Sequence, residues 1–129
     1  ERGRPFGVGL LVAGYDKTGP HIYETSPTAH YYEHKAQAIG SRSQSARTYL
    51  EKVFETFPDL SVDELVIHAL KSLEGAAGDK DLTAESVGIA IVGKDQDVKM
   101  LSVDELKNYL NTAFGDATVS TDDVEMKEA

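Results

Sequence analysis

The sequence predicts an α+β fold, a mainly antiparallel sheet with helices layered on it. Three observations predict it. Short apolar runs come in pairs joined by turn residues, as hairpin strands do. Three longer stretches place apolar residues at helical period. Strands and helices come in blocks rather than in βαβ alternation, giving the order β-β-β-α-α-β-β-α and then a tail.

The stretch from Pro5 to Tyr15 is mostly apolar and is punctuated by Gly7, Gly9 and Gly14. A short unbroken apolar run predicts a buried strand, covered on both faces. Asp16-Lys17-Thr18-Gly19 follows as a turn, and His21 to Thr25 reads as a second strand. Residues 6 to 25 therefore form a predicted hairpin. After Ser26-Pro27-Thr28, another turn, Tyr31 to Ile39 continues as extended chain and ends at Gly40.

The pattern then changes to helix. Ala46, Tyr49, Leu50, Val53, Phe54 and Phe57 make one apolar stripe. Ser41-x-x-Gln44 can serve as a capping box at its start, with Ser43 as a rival cap. Pro58 stops this helix near Thr56 or Phe57. A second helix begins at Ser61-Val62-Asp63-Glu64, where Ser61 can cap the third amide and Glu64 can reach back to the Ser61 amide. Its stripe is Val62, Leu65, Val66, Ala69, Leu70 and Leu73, and Gly75-Ala76-Ala77-Gly78 ends it. Val87 to Val92 reads as a strand, Gly93-Lys94-Asp95 as a turn, and Val98 to Leu101 as a short partner strand. A third helical stripe follows in Leu106, Tyr109, Leu110, Ala113 and Phe114. The string SVDEL stands at both Ser61–Leu65 and Ser102–Leu106. Its flanks differ, so it is the same cap used twice and not an internal repeat.

Composition bounds the function. The chain has 129 residues, 40% hydrophobic and 27% charged, as in one soluble globular domain or part of one. It has no cysteine, which excludes disulfides, thiolate metal sites and cysteine nucleophiles and is compatible with the cytoplasm or nucleus. No apolar run of membrane-spanning length and no secretory h-region is present, so no membrane partner is expected. The net charge is −9, of which residues 115–129 carry −4 and residues 1–114 carry −5. An acidic body without a basic patch disfavours nucleic acid. The stretch after Phe114 has few apolar residues and is expected to be an acidic, disordered tail.

The residues show no chemistry of their own. A dinucleotide loop starting at Gly7 would need glycine where Val12 stands, and the glycines lie in a strand rather than between strand and helix. Close backbone packing explains them better. No phosphate loop is present. His21, His30 and His34 lie near Glu24 and Glu33, but on extended chain His30 and His34 stand roughly 13 Å apart, so surface histidines are expected rather than a metal site. His68 falls off the apolar stripe of its helix and is expected to be solvated. Around Ser41 and Ser43 a nucleophile elbow would need serine at Arg42 and glycine at Gln44. Asp63, Glu64, Asp104 and Glu105 fall in first turns, where they favour the helix dipole. Arg42 and Arg47 are either interface residues or part of a solvated face. Catalytic, cofactor and metal residues are therefore expected to be absent.

Three segments carry a resemblance. Arg4-Pro5-Phe6-Gly7-Val8-Gly9-Leu10-Leu11 with Gly14-Tyr15-Asp16, then Ala38 to Glu51 (AIGSRSQSARTYLE), then Ile89 to Asp95 (IAIVGKD) resemble α-type subunits of the 20S proteasome in type, order and spacing. The middle segment resembles the type-1 branch most, which takes the sixth position of the ring. The family-motif residues, expected to be structural, are Arg4, Pro5, Gly7, Gly9, Gly40, Ser43, Gln44 and Gly93.

The resemblance implies half of an αββα sandwich of the N-terminal-nucleophile hydrolase class, with residues 1–114 as the C-terminal half of an α-type domain. It implies a non-catalytic subunit of a threonine protease complex, needed for ring assembly and gated substrate entry in ubiquitin-dependent degradation, in cytoplasm and nucleus. Neighbouring α subunits, β-ring subunits and regulatory particles are the implied partners, and no cofactor is implied. The chain is expected to be a fragment, lacking the gate extension, first strands and first helix pair of the family. That predicts an uncovered apolar sheet face. The alternative is a catalytic peptidase subunit of the same class, with its nucleophile upstream of Glu1.

Overall fold

A computed structural model describes residues 7–78 and 80–128. The motif residues Arg4 and Pro5 lie outside them. Strands β1 (Leu10–Asp16), β2 (Gly19–Thr25) and β3 (Tyr31–His34) form an antiparallel meander in the order β1-β2-β3. Helix α1 (Ser43–Val53) leads through a 3-10 segment (Phe54–Asp59) to α2 (Val62–Ala77). A second antiparallel pair, β4 (Ala90–Gly93) and β5 (Gln96–Met100), precedes α3 (Val103–Glu128). The order and α+β class match the sequence reading.

The β1–β2 connection is a tight one, with Asp16 opposite Gly19. Asp16 Oδ1 accepts from both the amide and the hydroxyl of Thr18 at 2.7 Å, so the carboxylate stands in for a turn carbonyl. Gly19 has φ of 120°, which a side chain would strain. At the other end of the ladder the Leu10 amide donates to Thr25 Oγ1 at 3.2 Å. A Cβ on Gly9 would stand 3.4 Å from the Thr25 carbonyl, so Gly9 is the place in this hairpin where backbones approach closely.

β3 ends at His34, whereas the sequence predicts extended chain to Ile39. In the register Ile22↔His34, one further step along β2 is His21 and the next is Pro20. Proline has no amide to continue the ladder. Gln37 turns back instead, donating from Nε2 to Glu24 Oε2 at 2.8 Å.

Helix α1 buries Ala46 and Leu50 along its predicted stripe. Its start departs from the prediction. The N-cap is Arg42, at φ 56° and ψ 26°, with no side-chain cap. Ser41 and Ser43 therefore do not cap α1. A backbone turn sets the helix going: the Ser43 amide donates to the Gly40 carbonyl and the Ser45 amide to the Arg42 carbonyl, each at 3.2 Å. Gly40 has φ of 110° within that turn. The α-helix ends at Val53, earlier than predicted. The Thr56 hydroxyl takes the Val53 carbonyl at 2.7 Å, and the ring of Pro58 bars an ordinary α-turn over Phe54.

Both SVDEL caps form. Ser61 Oγ accepts from the Glu64 amide at 3.3 Å, and Ser102 Oγ accepts from the Glu105 amide at 3.2 Å. α2 runs to Ala77, two residues past Gly75, and closes at Gly78 with φ of 66°. Gly75 lies within the helix, where a Cβ would stand 3.3 Å from the Ser45 Cβ of α1. Small residues thus let the two helices approach.

The core joins α2, α3 and the segment between them. Val66, Leu70, Ala84, Leu101 and Leu106 are buried together, and Leu70 is wholly inaccessible. Tyr109, Leu110, Ala113 and Phe114 pack against them, the predicted α3 stripe. The α2 stripe is narrower than predicted: Val62 and Leu73 are exposed, while Ser72 is buried and donates to the Ala69 carbonyl at 2.7 Å. β4 begins at Ala90 rather than at Val87, although the Leu101 amide still donates to the Ile89 carbonyl at 2.9 Å. The backbone of α3 is helical to Glu128, through the stretch for which the sequence predicts a disordered tail. A helix bonds its own amides and so can continue without an apolar stripe.

Burial corrects the reading of β1. Val8, Leu10 and Val12 are 54%, 54% and 52% exposed, and Leu11 is also exposed. Among the described residues, β2 pairs along one edge of β1 and β4 lies near it, but no helix layer covers its faces. The uncovered apolar face expected for half a sandwich is present.

Candidate functional site

The residues singled out by sequence fall into separate places. A Cβ added at Gly7 or Gly93 would meet no other atom, Gly93 pairs with Gln96, and Gly9 sits at the sheet end. Gly40, Ser43 and Gln44 come together at the start of α1. There Arg47 donates from Nη1 to the Ala38 carbonyl and from Nη2 to Gln44 Oε1, both at 3.1 Å. Arg42 donates from Nε to the Ala76 carbonyl at 2.8 Å. Both arginines therefore tie backbone carbonyls within this chain. One guanidinium fixes the approach to α1, and the other closes the last turn of α2.

His21 forms a polar network that the sequence reading missed. It lies on β2 with β1 on one side and β3 on the other. Its Nε2 lies 3.0 Å from Asp16 Oδ1 and 2.6 Å from Thr18 Oγ1, and its Nδ1 meets Glu33 Oε1. The Glu33 contact first, then Asp16, raises the imidazole above its ordinary pKa of 6.5. The Thr18 hydroxyl and amide bonds hold the Asp16 carboxyl down at about 2. The nearest sequence signal is Asp-x-Thr ahead of His21. Glu33 joins only through the β2–β3 register, in which Tyr23 pairs with Glu33.

The arrangement looks like a hydroxyl–imidazole–carboxylate relay, but its protons lie the wrong way. The Thr18 hydroxyl donates to Asp16 and both ring nitrogens face acceptors. While the imidazole holds both protons it takes none from a nucleophile.

His30 and His34 do not join this network. His30 accompanies Thr28 and stacks on Tyr32, while His34 Nε2 lies 2.9 Å from Glu24 Oε2. Among the described residues, no group of acidic or histidine side chains could hold a metal ion. His34, Glu33, Arg47, Glu51 and Phe54 line a cleft of about 370 Å³ with mixed charge and no focused chemistry. His68 is half-buried, not solvated. The Tyr49 hydroxyl lies 2.8 Å from its Nδ1, and the Tyr49 and Phe57 rings flank it at 5.9 and 5.7 Å. Burial raises the Tyr49 phenol.

The face with the strongest reason to bind something is apolar. In the register Val12↔Tyr23 and Tyr23↔Glu33, side chains of Leu10, Val12, Tyr23 and Tyr31 make the apolar part of one side of the meander, beside His21 and Glu33. Leu10, Val12 and Tyr31 are exposed. Such a face fits a protein surface better than a small polar substrate.

The family model described as "Proteasome subunit" matches residues 1–92. A proteasome subunit alpha type-1 of Dictyostelium discoideum is 47% identical over 110 residues, covering 84% of this chain and 44% of the relative. The subunits of the same name from Trypanosoma brucei rhodesiense and Drosophila melanogaster are 50% and 52% identical, over 84% and 77% of this chain. The chain spans 41% and 37% of their lengths, less than half of each relative. The chain belongs to the proteasome subunit family.

Proposed function

We propose that this chain is the C-terminal half of an α-type subunit and a non-catalytic building block of the 20S proteasome α ring. The carrying observation is identity of 47–52% to relatives named proteasome subunit alpha type-1. The geometry supports it. The motif at Gly40–Arg47 joins helices, and an apolar sheet face stands open.

In this reading the exposed face of β1 is covered by the rest of the α-type domain. Neighbouring α subunits, β-ring subunits and regulatory particles are the partners, and the work is assembly and gated entry in ubiquitin-dependent degradation, in cytoplasm and nucleus. Residues 1–114 form the folded half, and 115–129 an acidic tail that ring assembly does not need. No observation favours a catalytic peptidase subunit, and the names of the relatives weigh against it.

Affinity purification of the polypeptide carrying this sequence tests the proposal. It is expected to bring down other α and β subunits in one particle. Recovery as a free protein, with no such subunits attached, contradicts it.

A further inference from the structure

We propose that Asp16, His21 and Glu33 form a proton-operated latch that holds the β1–β2 turn to the rest of the three-stranded sheet. His21 is the middle member, on β2, with Asp16 at the end of β1 and Glu33 on β3. Its Nε2 approaches Asp16 Oδ1 at 3.0 Å and Thr18 Oγ1 at 2.6 Å, while Nδ1 meets Glu33 Oε1. Both nitrogens face oxygen, and only an imidazolium can donate from both.

The consequence of losing the proton is set by Thr18. Its hydroxyl already donates to Asp16 Oδ1 at 2.7 Å. If the neutral ring keeps its proton on Nδ1, the Nε2 lone pair confronts the Asp16 carboxylate. Thr18 can relieve this only by turning its hydroxyl proton from Asp16 to the ring. If the ring keeps its proton on Nε2 instead, Nδ1 repels Glu33 and β3 loses its tie. Either way one strand contact goes with the proton.

The charges around the ring are few. Asp16 and Glu33 are the carboxylates in contact, and the Tyr23 ring stacks on it at 5.9 Å. Lys17 and Thr18 form the turn itself. Across a cleft of about 850 Å³ stand Lys94 and Asp95 of the β4–β5 connection and Asp97 of β5. The side chain of His21 is 21% exposed, so protons reach it without unfolding. Its raised pKa places release above 6.5, with the contacts intact below that. The latch thus sets how firmly one wall of the cleft between the two hairpin turns is held. All its parts lie in this chain, on the sheet side that also carries Leu10 and Val12.

Nuclear magnetic resonance titration of the chain from about pH 5 to about pH 9 tests the latch. The His21 ring is expected to titrate above 6.5, and the Thr18 amide to shift with the same midpoint. The Glu64 amide, bonded to Ser61 far along the chain, is the control and should not follow. In Glu33→Gln the His21 midpoint should fall. Should that variant not fold, the unmodified chain decides alone. A His21 midpoint at or below 6.5, a Thr18 amide that ignores it, or a folded Glu33→Gln variant with an unchanged midpoint overturns the latch.

Discussion

Arg42 begins one helix and closes another: its Nε donates to the Ala76 carbonyl at 2.8 Å while its own backbone, at φ 56°, forms the N-cap of α1. The two roles can be separated by substitution. Arg42→Ala loses the bond and keeps the left-handed strain that the parent Cβ already bears; Arg42→Gly loses the bond and relieves that strain. Arg42→Ala should destabilise the chain by about 1 kcal/mol for an exposed charge-assisted bond, and Arg42→Gly by less. Urea unfolding midpoints check this. Equal stability of Arg42→Ala and the parent would show that the guanidinium contributes nothing.

Leu70 is the most enclosed side chain of the core, with Val66, Ala84, Leu101 and Leu106 around it. Leu70→Ala should cost about 2–5 kcal/mol through lost burial and a cavity. Val62→Ala, on the exposed side of the same helix, should change stability by about 0.5 kcal/mol or less. Denaturant curves of the pair compare the core with the surface directly.

The two SVDEL caps should prove equivalent. Ser61→Ala and Ser102→Ala each remove one side-chain bond to a first-turn amide. Each should cost about 1 kcal/mol, and threonine should recover most of it. Equal circular dichroism melting curves for parent and alanine variants would contradict this account of the helix starts.

The hairpin network predicts opposite behaviour in acid and base. Asp16 has a folded pKa of about 2 against 3.8, so its contribution is present above 3.8 and is lost as pH falls through about 2. His21 is raised above 6.5, so its contribution is present below 6.5 and is lost as pH rises through the raised value. The stability gap between parent and Asp16→Asn should therefore close in acid. The gap between parent and His21→Gln should close at alkaline pH. Urea midpoints measured across pH decide both signs.

What the sequence made legible was local. The stripes Ala46–Leu50 and Leu106–Phe114 follow helix period, and that period survives any tertiary arrangement. The serine caps need only four consecutive residues. The start of α1 was illegible because the serine-cap pattern assumes extended backbone at the cap, and Arg42 stands in the left-handed region instead. His68 was misread because its cover comes from Tyr49 and Phe57, outside its own helix. The His21 network needs the β2–β3 register before Glu33 can be placed. β1 was read as buried from its apolar run, and the run is indeed there; the layers that would cover it are absent from the described residues.

Deleting residues 115–129 should leave ring incorporation unchanged, because the segment offers few apolar residues to a core. Recovery of tagged, truncated polypeptide with the other subunits checks this. Loss of incorporation would give the acidic segment a role in assembly.

The central claim is membership of the α ring, and the mass of the intact particle tests it most directly. Native mass spectrometry of particles purified through a tag on this polypeptide should find it alongside other α and β subunits, in one copy per α ring. A tagged polypeptide found only alone or with copies of itself would contradict the claim.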